Sequence, residues 1–88
     1  MEQEKISSAQ IRAARGLCGL SQVALAEAAG VSSMTVKRAE GSGSPYPATK
    51  AINAIRAALE SAGVEFIAEN GGGAGVRLRK SEAGQRQT

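Results

Sequence analysis

Ser33, Met34, Lys37 and Arg38 form the pattern in this chain best suited to acting on another molecule. In the stretch Ser33-Met34-Thr35-Val36-Lys37-Arg38-Ala39-Glu40, helical spacing turns Val36 and Ala39 inward. That leaves Ser33, Met34, Lys37 and Arg38 on the opposite, polar side. Each of the four suits contact with a nucleic-acid duplex. A guanidinium can bridge the two acceptors of guanine, a hydroxyl at a helix start reaches base edges, and a thioether can lie against a thymine methyl. Lys37 and Arg38 suit phosphate oxygens equally well, so base edge and phosphate stay open for both. A short, cationic, hydrogen-bonding helix face is what major-groove reading requires.

Catalytic chemistry finds no comparable pattern. The chain has no His, no Asp and one Cys, Cys18, so there is no nucleophile-base pair, obvious carboxylate pair or metal-ligand cluster. Cys18 cannot form an internal disulfide and reads as a small apolar residue where two helices meet. The run Gly71-Gly72-Gly73-Ala74-Gly75 is not a phosphate loop. It leads into an alternating strand rather than a helix, and no lysine-hydroxyl pair follows it. No enzyme, cofactor or metal is expected.

The polar helix needs a second element to present it. Ser21 is a good N-cap, and Leu25, Ala26 and Ala29 recur behind it at helical spacing. Gly30 stands where that helix must stop, and glycine takes the left-handed conformation a sharp exit needs. Val31 then enters the core, and Ser32 or Ser33 caps the next helix, which runs to about Glu40. Two short helices joined by one tight turn make a helix-turn-helix.

The framework residues Gln22, Ala26, Gly30 and Val36 resemble those of the lambda-repressor-like (Xre-type) helix-turn-helix regulators. The segment Val36-Lys37-Arg38-Ala39-Glu40-Gly41 resembles that family's exit from its recognition helix. The resemblance covers roughly residues 8 to 62, and residues 10 to 80 resemble a subgroup of very small bacterial regulators. Ala39 departs from it, standing where many members carry a larger apolar residue, which implies looser packing beneath the helix. The resemblance implies double-stranded DNA as partner, with base contacts from Ser33, Met34, Lys37 and Arg38. It also implies that Gln22 touches phosphate and braces the recognition helix. Ser21, Gln22, Thr35, Ser42 and Lys50, with Ser44 and the loop backbone, are the candidate phosphate contacts.

Around this motif the chain reads as one domain with one small core. It has 88 residues, 42% hydrophobic but only 2% aromatic, so alanine, leucine, isoleucine and valine must build the interior. A core so light favours a dimer. Residues 1–7 read as a polar, frayed lead-in. Ser7 or Ser8 then caps a helix with Ile11, Ala14 and Leu17 inward and Arg12 and Arg15 outside. GSGSPYP (41–47) is a breaker-rich loop. The next helix, Ala48 to Ala62, buries Ile52, Ile55, Leu59 and Ala62 and turns Lys50, Asn53, Arg56 and Glu60 to water. Glu27, Glu40 and Glu60 read as exposed or structural.

Beyond Gly63 the period changes to that of a hairpin, with strands at Val64–Ile67 and Val76–Arg79. The expected fold is therefore mainly α: a four-helix lambda-repressor-like domain over residues 8–63, then a C-terminal β-hairpin over 64–80 and a disordered tail over 81–88. An isolated hairpin is marginal in water, so Val64, Phe66, Val76 and Leu78 need cover. The chain's own helices can supply it, or the same strands of a second copy can. Two-fold symmetry on DNA favours the second, making these four the expected dimerisation residues.

The net charge of +3 (11 Lys+Arg, 8 Asp+Glu) has the right sign for a polyanion but is modest. Arg77, Arg79, Lys80 and Arg86 crowd the C-terminus; the strand cations Arg77, Arg79 and Lys80 could hold DNA backbone, but a charged row on an edge strand is the more common explanation. No apolar run approaches the roughly 20 residues that span a bilayer, and the N-terminus lacks signal-peptide features, so a cytoplasmic location is expected. The expectation is a homodimeric, sequence-specific transcriptional regulator, a repressor or activator. Two other readings stand beside it. In one, an antitoxin-like protein grips a toxin partner through its hairpin and regulates its own gene on DNA. In the other, a relic motif mediates only protein contacts.

Overall fold

A computed structural model describes residues 5–69 and 71–79. Helices α1 (Ser8–Cys18), α2 (Gln22–Ala29), α3 (Ser33–Ala39) and α4 (Thr49–Ser61) precede strands β1 (Val64–Ile67) and β2 (Gly75–Leu78). The chain is mainly helical, with a two-stranded antiparallel hairpin at its end. Lys80 and Arg86, named above as cations, lie outside the described residues, as does the 81–88 tail.

Serine hydroxyls start three of the helices. Ser7 caps α1 in a full capping box with Gln10, Ser21 caps α2 by accepting the Ala24 N–H, and Ser32 caps α3 by accepting that of Thr35. Gly30 ends α2 at φ 73°, so that α3 begins after only Gly30, Val31 and Ser32. The core gathers Ile11, Ala14, Leu25, Ala26, Val36, Ala39, Ile52, Ile55, Leu59 and Val64. Ala39 is fully enclosed.

Several sequence expectations need correcting. Ile6, expected in a frayed lead-in, is buried. It stands just before the Ser7 cap and packs in the same cluster as Ile11, the two occupying the positions of a hydrophobic staple. Leu17 is 44% exposed, because it falls about 120° around α1 from Ile11. Cys18 instead continues the stripe, half-buried. Ala62 is exposed, since α4 ends at Ser61 and the chain turns at Ala62-Gly63, letting Val64 complete the buried row. Arg56 does not simply face water: its guanidinium lies 5.3 Å from the centre of the Phe66 ring and pairs with Glu60.

The largest correction concerns the hairpin. Its register pairs Val64 with Leu78 and Phe66 with Val76, placing these four on one face as expected. That face is covered by the chain's own helices. Val64 is fully buried, and Phe66 and Val76 are half-buried against the same core. Closing the helical core with these side chains removes apolar surface that an uncovered hairpin would leave in water. Leu78 alone of the four is exposed, at 52%. In the connecting loop the Glu69 carboxylate accepts the N–H groups of Gly71 (3.3 Å) and Gly73 (3.0 Å), so these loop donors are satisfied internally.

Candidate nucleic-acid interface

Helix α3 has two different sides. Val36 and Ala39 are fully buried, while Met34 is 48% exposed and Lys37 is exposed. Ser33, Thr35 and Arg38 are half-buried at the margins. Neither Lys37 nor Arg38 is drawn into an ion pair among the described residues, so their charges remain available. The four expected base-reading residues therefore lie on one short helix, with Met34 and Lys37 outermost.

The expected phosphate contacts are more scattered. Ser42 is brought to α3: its backbone N–H donates to the Lys37 carbonyl at 2.9 Å, wrapping the loop around the helix end. Gly41 makes the same return to the Arg38 carbonyl, at 3.0 Å. Ser21 and Ser44 are exposed, Ser21 using one lone pair as a helix cap. Thr35 shares a 2.9 Å hydroxyl-hydroxyl bond with Ser32 and so is tied to its own helix start. Lys50 is exposed in the first turn of α4 and shares no hydrogen bond or ion pair with α3.

Gln22 sits at the start of α2 and donates from Nε2 to Glu40 Oε1 at 3.0 Å. This bond links the start of α2 to the residue that caps the end of α3. Glu40 is the residue sequence reasoning missed. It is 5% exposed and receives Arg15 in a forked pair, Nε to Oε2 at 2.6 Å and Nη2 to Oε1 at 3.2 Å. Arg15, expected outside, is accordingly turned inward and half-buried, and also donates to the Leu20 carbonyl at 3.1 Å.

Helix α1 completes this joint through backbone acceptors. Ser8 Oγ donates to the Ala39 carbonyl and Arg12 Nη1 to that of Glu40, each at 2.6 Å. These are carbonyls at the end of α3 that no helical turn can satisfy. A signal for Glu40 was present in the sequence: it lies four residues after Val36, on the inward stripe of its own helix.

The electrostatics follow from burial. Desolvation alone would raise the Glu40 carboxyl and is its largest single influence. Hydrogen bonds from Arg15 and Gln22, with the charges of Arg15 and Arg12, outweigh it together and hold the carboxyl below its ordinary value. The hydrogen bond to Glu40 raises Arg15 in turn. Partial burial raises the Cys18 thiol, which leaves less of the reactive thiolate near neutrality.

Among the described residues, no group of three or more His, Cys, Asp or Glu is placed to hold a metal ion. No helix among them is long and apolar enough to cross a membrane. No protein-family model matches this chain, and no curated protein is significantly similar to it.

Proposed function

We propose that this chain is a sequence-specific DNA-binding transcriptional regulator with a lambda-repressor-like helix-turn-helix, α3 being its recognition helix. One observation carries the proposal. A short helix follows another after a three-residue turn and points Met34 and Lys37 outward with Ser33 and Arg38 beside them, while its far end is held by Arg15, Gln22, Ser8 and Arg12. Pre-set geometry of this kind is what a base-reading helix needs, because loosely held side chains lose their bonding advantage to entropy on binding.

In this proposal Arg38 and Lys37 reach guanine edges or nearby phosphates, Ser33 reads at the helix start, and Met34 contacts thymine. Ser21, Ser42 and Lys50 supply phosphate contacts that fix register without reading sequence. The regulator acts on DNA as a two-fold dimer. Because the chain's own helices cover Val64, Phe66 and Val76, the dimer contact falls to Leu78 and the outer strand edges.

The test is fluorescence anisotropy on DNA from upstream of its own gene against a scrambled duplex, titrated at several salt concentrations. Preference for the native site that persists as salt rises supports the proposal. Equal binding that collapses with salt leaves only electrostatic attachment to that DNA. Arg38→Ala should flatten preference at one base pair at a cost of about 1–3 kcal/mol, whereas Lys50→Ala should weaken all sequences alike.

A further inference from the structure

The first turn of α1 touches two distant parts of the molecule through neighbouring residues. Gln10 is 7% exposed, and both ends of its carboxamide are used. Its Oε1 accepts the Ser7 N–H at 2.8 Å, closing the capping box. Its Nε2 donates to the Gly75 carbonyl at 3.0 Å and, more weakly, to that of Ile67 at 3.4 Å. Ile67 and Gly75 are register partners, the last pair before the hairpin loop. Two residues before Gln10, Ser8 bonds the end of α3, and Arg12 and Arg15 continue that line onto Glu40.

On a helical projection Ser8, Arg12 and Arg15 fall within about 60° of one another, and Gln10 lies roughly 150° away. Helix α1 thus holds the end of α3 with one side and the hairpin with the other, while the fully buried Ile11 and Ala14 fill the core between. The two grips differ in strength. The first is an ion pair reinforced by backbone acceptors. The second is one carboxamide plus a small apolar face, under strands that cannot stand alone.

We propose that the hairpin sets the pose of α3 through α1. With the hairpin docked, Gln10 seats α1 so that Ser8, Arg12 and Arg15 meet Ala39 and Glu40 and hold the recognition helix ready. With the hairpin lifted, α1 loses that seat and the end of α3 loosens. The consequence for DNA affinity rests on the functional proposal above; the mechanical coupling does not. The hairpin is then a regulatory handle. Whatever draws it off α1 lowers DNA affinity, and DNA binding by reciprocity tightens hairpin docking.

Gln10→Glu separates the two roles of this side chain. A glutamate in the third helical position still closes a capping box, but its carboxylate cannot donate to the Ile67 and Gly75 carbonyls. At pH 8, above the ordinary carboxylate range, amide hydrogen exchange is followed by NMR on the full chain, and DNA affinity by anisotropy. The expected result is wild-type protection in α1, shifted hairpin resonances, and exchange at Val36 and Glu40 faster by about tenfold, with a similar loss of DNA affinity.

Helix α2, which shares no hydrogen bond with the hairpin among the described residues, serves as the internal control, read at Leu25 and Ala26. Loosening of α2 in step with α3 means simple global destabilisation and overturns the coupling. So do unmoved hairpin resonances, or moved hairpin resonances with α3 exchange and affinity unchanged. Gln10→Met removes the donors and the capping acceptor together, so, read against Ser7→Ala, which weakens the cap alone, it separates the two roles if the glutamate variant fails to fold. If the wild-type chain prefers no DNA at all, the functional proposal falls while the exchange experiment still decides the coupling.

Discussion

Arg15–Glu40 and Arg77–Glu65 close at nearly the same distance, 2.6 and 2.7 Å, yet they sit in different surroundings. In the first, the arginine is 25% exposed and the carboxylate 4%. In the second the values are 66% and 43%. The first pair joins α1 to the end of α3 and draws Gln22 into the same cluster. The second spans two adjacent strands on the outer face of the hairpin, where water and salt compete for both charges. Distance therefore says little about what an ion pair does. Removing Arg15 leaves the buried Glu40 carboxylate without its paired cation, whereas losing either partner of the exposed pair leaves a charge that water takes up.

The comparison is most directly broken by Arg15→Ala. It leaves the Glu40 carboxylate buried with Gln22 as its remaining side-chain donor and should cost about 3 kcal/mol of folding stability. Chemical denaturation reads this, and a loss below about 1 kcal/mol would show that the joint is not what holds α3. Next in size is Val64→Ala, which hollows the fully buried contact between hairpin and helices and should cost about 2 kcal/mol. An effect near zero there would return Val64 to the role of a dimerisation residue.

Acid should act more gently on the same buried pair. Glu40 is held below its ordinary value of 4.5 in the folded state. Its contribution is therefore complete above that ordinary value and is lost as pH falls through the lower, folded one. Glu40→Gln should flatten the acid limb of a stability-pH curve, and an unchanged limb would assign acid unfolding to other carboxylates. The smallest effect belongs to Arg77→Ala, at no more than about 0.5 kcal/mol and shrinking further with added salt. A loss rivalling that of Arg15→Ala would erase the distinction between the two pairs.

The helices were legible because their signals are local. Ser21 and Gly30 bracket α2 within ten residues of chain, and cap and turn chemistry operates over that range. The outward face of α3 was legible for the same reason: Val36 and Ala39 set the phase, and Met34 and Lys37 follow from it. Glu40 was not recognised, although its phase points inward. A carboxylate on an inward stripe makes sense only once its donor is known, and Arg15 is 25 residues earlier. The hairpin face was identified correctly and its cover was not. Alternation shows that Val64, Phe66, Val76 and Leu78 share a face, but nothing in alternation says whose surface lies beneath.

By itself, the sequence determined where helices start and stop, which period follows Gly63, and which side chains α3 turns outward. These depend on backbone preference and on neighbours three or four residues away. Tertiary structure alone decided that Glu40 is a buried hub, that Gln10 ties the hairpin to α1, and that Val64 fills the chain's own core. Each of those outcomes depends on which distant groups share a low-dielectric interior, where an unpaired charge or uncovered apolar surface carries its full free-energy penalty.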